Sequence, residues 1–245
     1  MPVPFSAADR RFRPTWIMTL LTVVLLVAFV SLGRWQWHRG IDKQRLWEQF
    51  DHAPPPAFTS HPPNFDDIER FRRVAFPARF EPAHQFLLDN RMHDGQPGYE
   101  VLTPAVLNDG RRILVNRGWV PFTGYRDRLP DVSLADAAET ALSGRVEELP
   151  AAGLASGRAP PAADDPWPKV TSFPTHEELE RALGEKIARR ILLLDAGVEG
   201  AGNLVRQWSA PGLAPDRHFS YAIQWWGFGV VLLVLYFGLN FRKVS

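Results

Sequence analysis

No cysteine occurs among the 245 residues. That absence removes disulfides, thiol redox chemistry, thiolate metal sites and covalent CxxCH haem attachment. Methionine is nearly missing as well, present only as Met1, Met18 and Met92, so there is no soft-sulfur set for a copper chaperone. Neither sign of charge dominates. The 28 Lys and Arg stand against 27 Asp and Glu, a net charge of +1, which gives no footing for nucleic-acid binding or disorder. The phosphate loop (GxxxxGK), the nucleophile elbow (GxSxG) and the zinc-protease motif (HExxH) are all absent. Adjacent carboxylates occur at Asp66-Asp67, Glu147-Glu148, Asp164-Asp165 and Glu177-Glu178. Neighbours in sequence point to different faces, so these read as solvated surface or helix N-terminal charge rather than acid/base pairs. His52, His61, His84, His93 and His176 lack an i, i+4 ligand spacing and read as loop or cap residues. Nothing here argues for an enzyme.

What the chain does have is two uncharged apolar blocks, 16–32 and 225–239. With Pro14 and Thr15 the first covers about 28 Å as a helix, enough to cross a bilayer. In lipid a single segment satisfies its own backbone polar groups only as a helix. A cleaved signal peptide is the competing reading of the first block. Its apolar core is longer than the usual ~7–15 residues, and no small-x-small cleavage site follows, so a retained anchor fits better. The expected order is a tail at 1–13, a transmembrane helix at 14–33, a soluble domain at 34–217, a second transmembrane helix at 218–241 and a tail at 242–245. Arg10, Arg11, Arg13, Arg242 and Lys243 in the short tails favour cytoplasmic termini with the domain outside, because long loops translocate largely regardless of charge.

The soluble part reads as a mostly antiparallel β-structure with one or two short helices, giving a membrane-anchored α+β protein. A helical pattern continues through 35–50 and ends at Pro54-Pro55-Pro56. In 73–80, Val74, Phe76, Ala78 and Phe80 alternate onto one face, and Pro77 on the other suits an edge strand. The runs 99–107 and 111–120 flank Asn108-Asp109-Gly110, a hairpin signal. Further strands are expected at 141–149, 191–194 and 204–208. The Ala/Gly/Pro-rich stretch 150–168 is expected to be a surface loop. Thr175 and Glu178 form a capping box for a helix that Gly184 stops.

Two clusters lie at the outer membrane boundary: Leu32-Gly33-Arg34-Trp35-Gln36-Trp37-His38-Arg39 and Arg217-His218-Phe219-Ser220-Tyr221-Ala222-Ile223-Gln224-Trp225-Trp226. On a helix, His218, Tyr221, Ala222 and Trp225 share a face. An imidazole there can ligate haem iron, with Tyr221 and Trp225 flanking the macrocycle and Arg34 and Arg39 meeting its propionates. An aromatic belt with snorkelling basic residues explains the same composition without any ligand.

Several of these motifs together resemble the Surfeit locus protein 1 family, the Shy1-like assembly factors of cytochrome c oxidase. The resemblance rests on Leu32-Gly33-x-Trp35-Gln36-x-x-Arg39, on Gly98-Tyr99-x-Val101-Leu102-Thr103-Pro104 and on Ile113-Leu114-Val115-Asn116-Arg117-Gly118-Trp119-Val120-Pro121. It continues with Trp167, Leu194-Asp195-Ala196 and His218-x-x-Tyr221-Ala222-x-x-Trp225. It implies a non-enzymatic factor that binds haem A through His218 and assists its insertion into the oxidase catalytic subunit. A scaffold that never binds haem is the alternative. Implied partners are that subunit, other assembly factors, haem A synthase and membrane lipid. The implied location is the bacterial inner membrane with a periplasmic domain, or the mitochondrial inner membrane in a eukaryote. Within the third motif, Val115, Arg117 and Trp119 are expected on one face, with Gly118 permitting close approach or a bulge. Asn116 and Arg117 read equally as a structural anchor or a partner surface.

Overall fold

The structure is a computed structural model and describes residues 10–62, 64–134, 139–153 and 157–243. The chain divides into two compact units, Met1–Asp51 with Ala210–Ser245, and His52–Ser209.

The first unit is a helical pair. Helix α1 spans Trp16–Asp51 and α3 spans Pro215–Asn240. Both have apolar windows with only 6% and 11% of their residues buried. A core helix of a soluble domain would bury most of that window, whereas a helix solvated by lipid has no need to. The protein is therefore a membrane protein with two spanning helices. At ~1.5 Å per residue α1 is about 54 Å long, well beyond a hydrocarbon core of about 30 Å. Its polar half continues past the apolar block as one unbroken helix, so the β unit occupies 52–209 within the expected 34–217.

The helices meet along small residues. Thr22, Gly33 and Gly40 are buried in α1, and Ala222, Gly229 and Asn240 in α3. Such positions let backbones approach closely where no hydrophobic force drives association. A Cβ on Gly33 would lie 2.2 Å from Trp226 Nε1, and one on Gly40 2.6 Å from the Phe219 ring. Each indole or phenyl ring fills the notch that a glycine leaves. A hydroxyl pair, Thr19 and Tyr236 at 2.8 Å, joins the helices nearer their other ends.

The second unit is built on a closed ring of strands. Strand β3 (Arg73–Phe80) pairs with β7 (Thr140–Glu148), which pairs with β9 (Arg190–Leu194). Next come β6 (Arg112–Pro121) and β5 (Gln96–Leu107). Pairing of β5 with β3 over Ala78–Phe80 closes the ring. Its interior is apolar, with Val74, Phe76, Ala78, Phe80, Val115, Leu142 and Leu192 in one cluster. Strands β4 (Phe86–His93) and β8 (Lys169–Thr171) extend the sheet beyond β5, and β2 (Ala57–Phe58) adds to β3. Helix α2 (His176–Leu183) covers a second cluster through Leu179, packed with Phe86, Leu102 and Leu114. The expected capping box is present, and Gly184 ends α2 at φ 74°.

Four details differ from the sequence reading. Strand β3 is not an edge, because β7 pairs along most of it and β2 and β5 take its other side in turn. Ala75 O accepts from the Thr59 N–H, so the polar groups of Ala75 and of Pro77, two residues on, point away from β7. The donor that Pro77 lacks thus falls in the gap between β2 and β5. Second, 204–208 forms only the bridge between Val205 and Trp119. The Arg206 guanidinium draws in the carbonyls of Val198 and Gly202, so the segment wraps instead of extending. Third, the register of β6 slips between Asn116 and Trp119. That bulge moves Trp119 to the face of Asn116 and Glu100, opposite Val115. Fourth, Glu147 is buried and ion-paired with Arg70 rather than solvated.

The 150–168 stretch forms no named strand or helix among its described residues, but its far end is pinned. The Lys169 ammonium donates to the carbonyls of Ala163 and Asp165, and Trp167 packs edge-on to Phe86.

Candidate functional site

The candidate site lies along the seam between α1 and α3. Gly33, Gln36 and Gly40 recur at i, i+3 and i+7 on α1, and Gln36 is half-buried between two glycines that are fully covered. On α3, His218, Ala222, Trp225 and Gly229 follow i, i+4, i+7 and i+11, all covered wholly or in part. The two faces meet where His218 Nδ1 donates to Gln36 Oε1 at 2.9 Å. With that proton on Nδ1, the lone pair of the neutral ring is on Nε2. A carbonyl acceptor behind one ring nitrogen is the arrangement that orients a histidine for metal ligation through the other. Gln36 belongs to the first motif quoted above but was given no site role there, although its place between Gly33 and Gly40 marked it as facing a neighbour.

The other expected site residues divide. Trp225 stacks on Phe29 of α1 at 5.9 Å, so it belongs to the seam. Tyr221 is 42% exposed and is less covered than Trp225. Arg39 and Arg34 are both exposed. Arg39 lies about 60° round the helix from Gln36, and Arg34 about 160°. Arg39 is thus next to the seam and Arg34 on the far side of α1. His38 is exposed and donates from Nδ1 to Arg34 O of its own helix at 2.8 Å, so it does not face α3. Trp37 sits over Phe219 and Trp226 at 4.9 and 5.7 Å, adding an aromatic wall beside the seam.

The Ile113–Pro121 motif forms a separate, structural centre inside the β unit. Arg117 is fully buried. Its guanidinium donates to Thr103 Oγ1 at 2.8 Å, to Ala201 O at 3.0 Å, and to Gln85 Oε1 and Val132 O. Burial, with Arg206 nearby, pushes its pKa down to about 10. Asn116 accepts the Gly118 N–H at the bulge and donates to Glu100. These contacts make the motif an internal anchor; a fully buried Arg117 is no partner surface. Among the described residues no group of three or more His, Asp or Glu could hold a metal ion.

A family model describing the SURF1 family matches residues 23–230, from within the first span to within the second. The chain belongs to the SURF1 family. An uncharacterised SURF1-like protein of Mycobacterium bovis is 27% identical over 229 residues, covering 89% of this chain and 81% of its own. One of Mycobacterium tuberculosis matches to the same extent. A SURF1-like protein of Dictyostelium discoideum is 35% identical over 121 residues, 44% of each chain. Every motif behind the resemblance, from Leu32 to Trp225, falls inside the matched span. The SURF1 family is a family of oxidase assembly factors.

Proposed function

We propose that this protein assists assembly of a haem-copper cytochrome c oxidase by holding haem A transiently and passing it to the catalytic subunit. The observation that carries this reading is the oriented imidazole of His218, with Nδ1 engaged by Gln36 and Nε2 outside that bond. The residues present fit an anionic iron macrocycle: one axial nitrogen, aromatic rings of Trp37 and Trp225 beside it, and the exposed cations Arg39 and Arg217 at the same level. Arg34 fits less well, being turned to the far side of α1. Haem A would supply an iron that accepts nitrogen and propionates that accept guanidinium. What the chain itself does is fix the ring tautomer, wall one side with aromatics and place cations at the rim. The β unit faces the periplasm of a bacterial inner membrane, or the intermembrane space in a mitochondrion. Haem A synthase and other assembly factors are the neighbours this role requires.

A second reading has its own support. The same His218–Gln36 bond joins two helices and so serves a haem-free scaffold as an interhelical contact. The two separate in a visible spectrum of the detergent-solubilised protein from cells that make haem A. The haem reading expects a Soret band that His218→Ala abolishes and His38→Ala preserves, with both variants inserted and folded. A haem-to-protein ratio unchanged by His218→Ala leaves the scaffold standing.

A further inference from the structure

The tails beyond the far ends of the two spans pair with each other. Strands β1 (Arg10–Phe12) and β10 (Phe241–Lys243) form an antiparallel ribbon with Arg10 opposite Lys243, Arg11 opposite Arg242 and Phe12 opposite Phe241. The Arg13 N–H donates to Asn240 O at 2.9 Å, carrying the ladder to the helix ends. Phe12 packs on Tyr236, Phe237 and Phe241 with ring centroids 5.7, 5.6 and 5.4 Å away. The ribbon is therefore seated on an aromatic base at the depth where a spanning helix leaves the hydrocarbon.

Its charge pattern works against its own pairing. Residues 10–13 and 241–243 contain three arginines on one side, an arginine and a lysine on the other, and no acid. Like charges directly opposite one another destabilise an antiparallel pair, and here two successive pairs are of that kind. A scattered snorkelling belt would show no such register. The backbone ladder holds the residues that carry these charges in register, and a phosphate anion beside the ribbon relieves their repulsion. At this depth the available anions are phosphates of the bilayer surface.

We propose that the terminal ribbon is a binding platform for the headgroups of anionic phospholipids. The proposal rests on the spanning helices and is independent of haem binding. A ribbon closed by lipid clamps the ends of α1 and α3 together, so that the leaflet's composition bears on how firmly the pair is held.

The test is native mass spectrometry of the full-length protein in detergent, titrated with phosphatidylglycerol or phosphatidylcholine. Wild type should take up phosphatidylglycerol in preference, and added salt should erode that preference. Replacing one opposed pair, in Arg11→Gln/Arg242→Gln, should weaken uptake roughly fivefold for each cation removed. Arg11→Lys/Arg242→Lys should keep it. Equal uptake of the two lipids by wild type overturns the proposal, as does an undiminished preference in the glutamine variant. Displacement of phosphatidylglycerol by inorganic phosphate at equal concentration would show a small-anion site and equally overturn it. Should the glutamine variant fail to purify, the lipid preference of wild type and its salt dependence decide alone.

Discussion

Gly118 has φ 136°, and a Cβ there would lie 2.7 Å from both Leu204 Cβ and Val205 O. Any side chain must therefore adopt a conformation that L-residues avoid and push into the backbone that bridges to Trp119. Gly118→Glu adds a carboxylate beside a fully covered motif, and we expect it to cost more than about 2 kcal/mol in urea or thermal unfolding. A variant that melts like wild type would remove the structural role of the bulge. His176 is the second position where one residue sets a condition on the fold. Its Nε2 is buried without a hydrogen-bond partner, and desolvation holds its pKa below the ordinary value, outweighing the backbone hydrogen bond at Arg189, which raises it. The unfolded chain takes up the proton first as pH falls through about 6.5. Stability contributed by the neutral ring is therefore present above that value and lost on acidification below it. Unfolding midpoints measured from about pH 7.5 to 5.5 should fall in wild type and fall less in His176→Gln; parallel curves would exclude the assignment.

The elements most legible in the sequence are those whose signal is local. Asp109-Gly110 between two apolar runs gave the β5–β6 hairpin, and Thr175, Glu178 and Gly184 gave α2 with both ends in place. Pairing between distant strands was not legible: closure of the ring depends on three residues of β3 meeting β5, and no periodicity within either strand records that. Strand β4 went unread because its second half, Asp89-Asn90-Arg91-Met92-His93, breaks alternation at a bulge after Leu88. The candidate site shows the same division. His218 and Trp225 could be placed on a helix face from spacing alone, but the partner Gln36 lies 182 positions away and needed the fold. Also hidden was the packing logic of the helical pair, in which Gly33 receives Trp226 and Gly40 receives Phe219. Gly40→Leu places a branched side chain where a Cβ already falls within 2.8 Å of two Phe219 ring carbons. It should separate the helices near His218, lengthening or breaking the bond to Gln36. The expected outcome is a lowered haem-to-protein ratio with the β unit's circular dichroism retained. An unaltered ratio would mean that the seam's close approach is irrelevant to the site.

At the scale of the whole molecule, one chain combines a helical pair whose apolar surface is exposed with a β unit whose apolar surface is enclosed. The first needs lipid around it; the second has its ring closed and its main clusters covered, and so is built for water. Which side of the membrane holds the β unit follows from the tails. Arg10, Arg11, Arg13, Arg242 and Lys243 lie immediately outside the two spans, and β1 and β10 hold the tails together. Translocating either tail would carry a cluster of cations across the hydrocarbon, at about 2.5–3.5 kcal/mol for each arginine or lysine at the centre. The intervening loop is long, and long loops cross largely regardless of charge. Both termini should therefore lie in the cytoplasm and the β unit outside. Reporter fusions before residue 14 and after residue 241 should read cytoplasmic, and fusions within 150–168 should read external. If the central fusions read cytoplasmic, the charge argument fails, and with it the placement of His218 on the face where an oxidase subunit would receive haem.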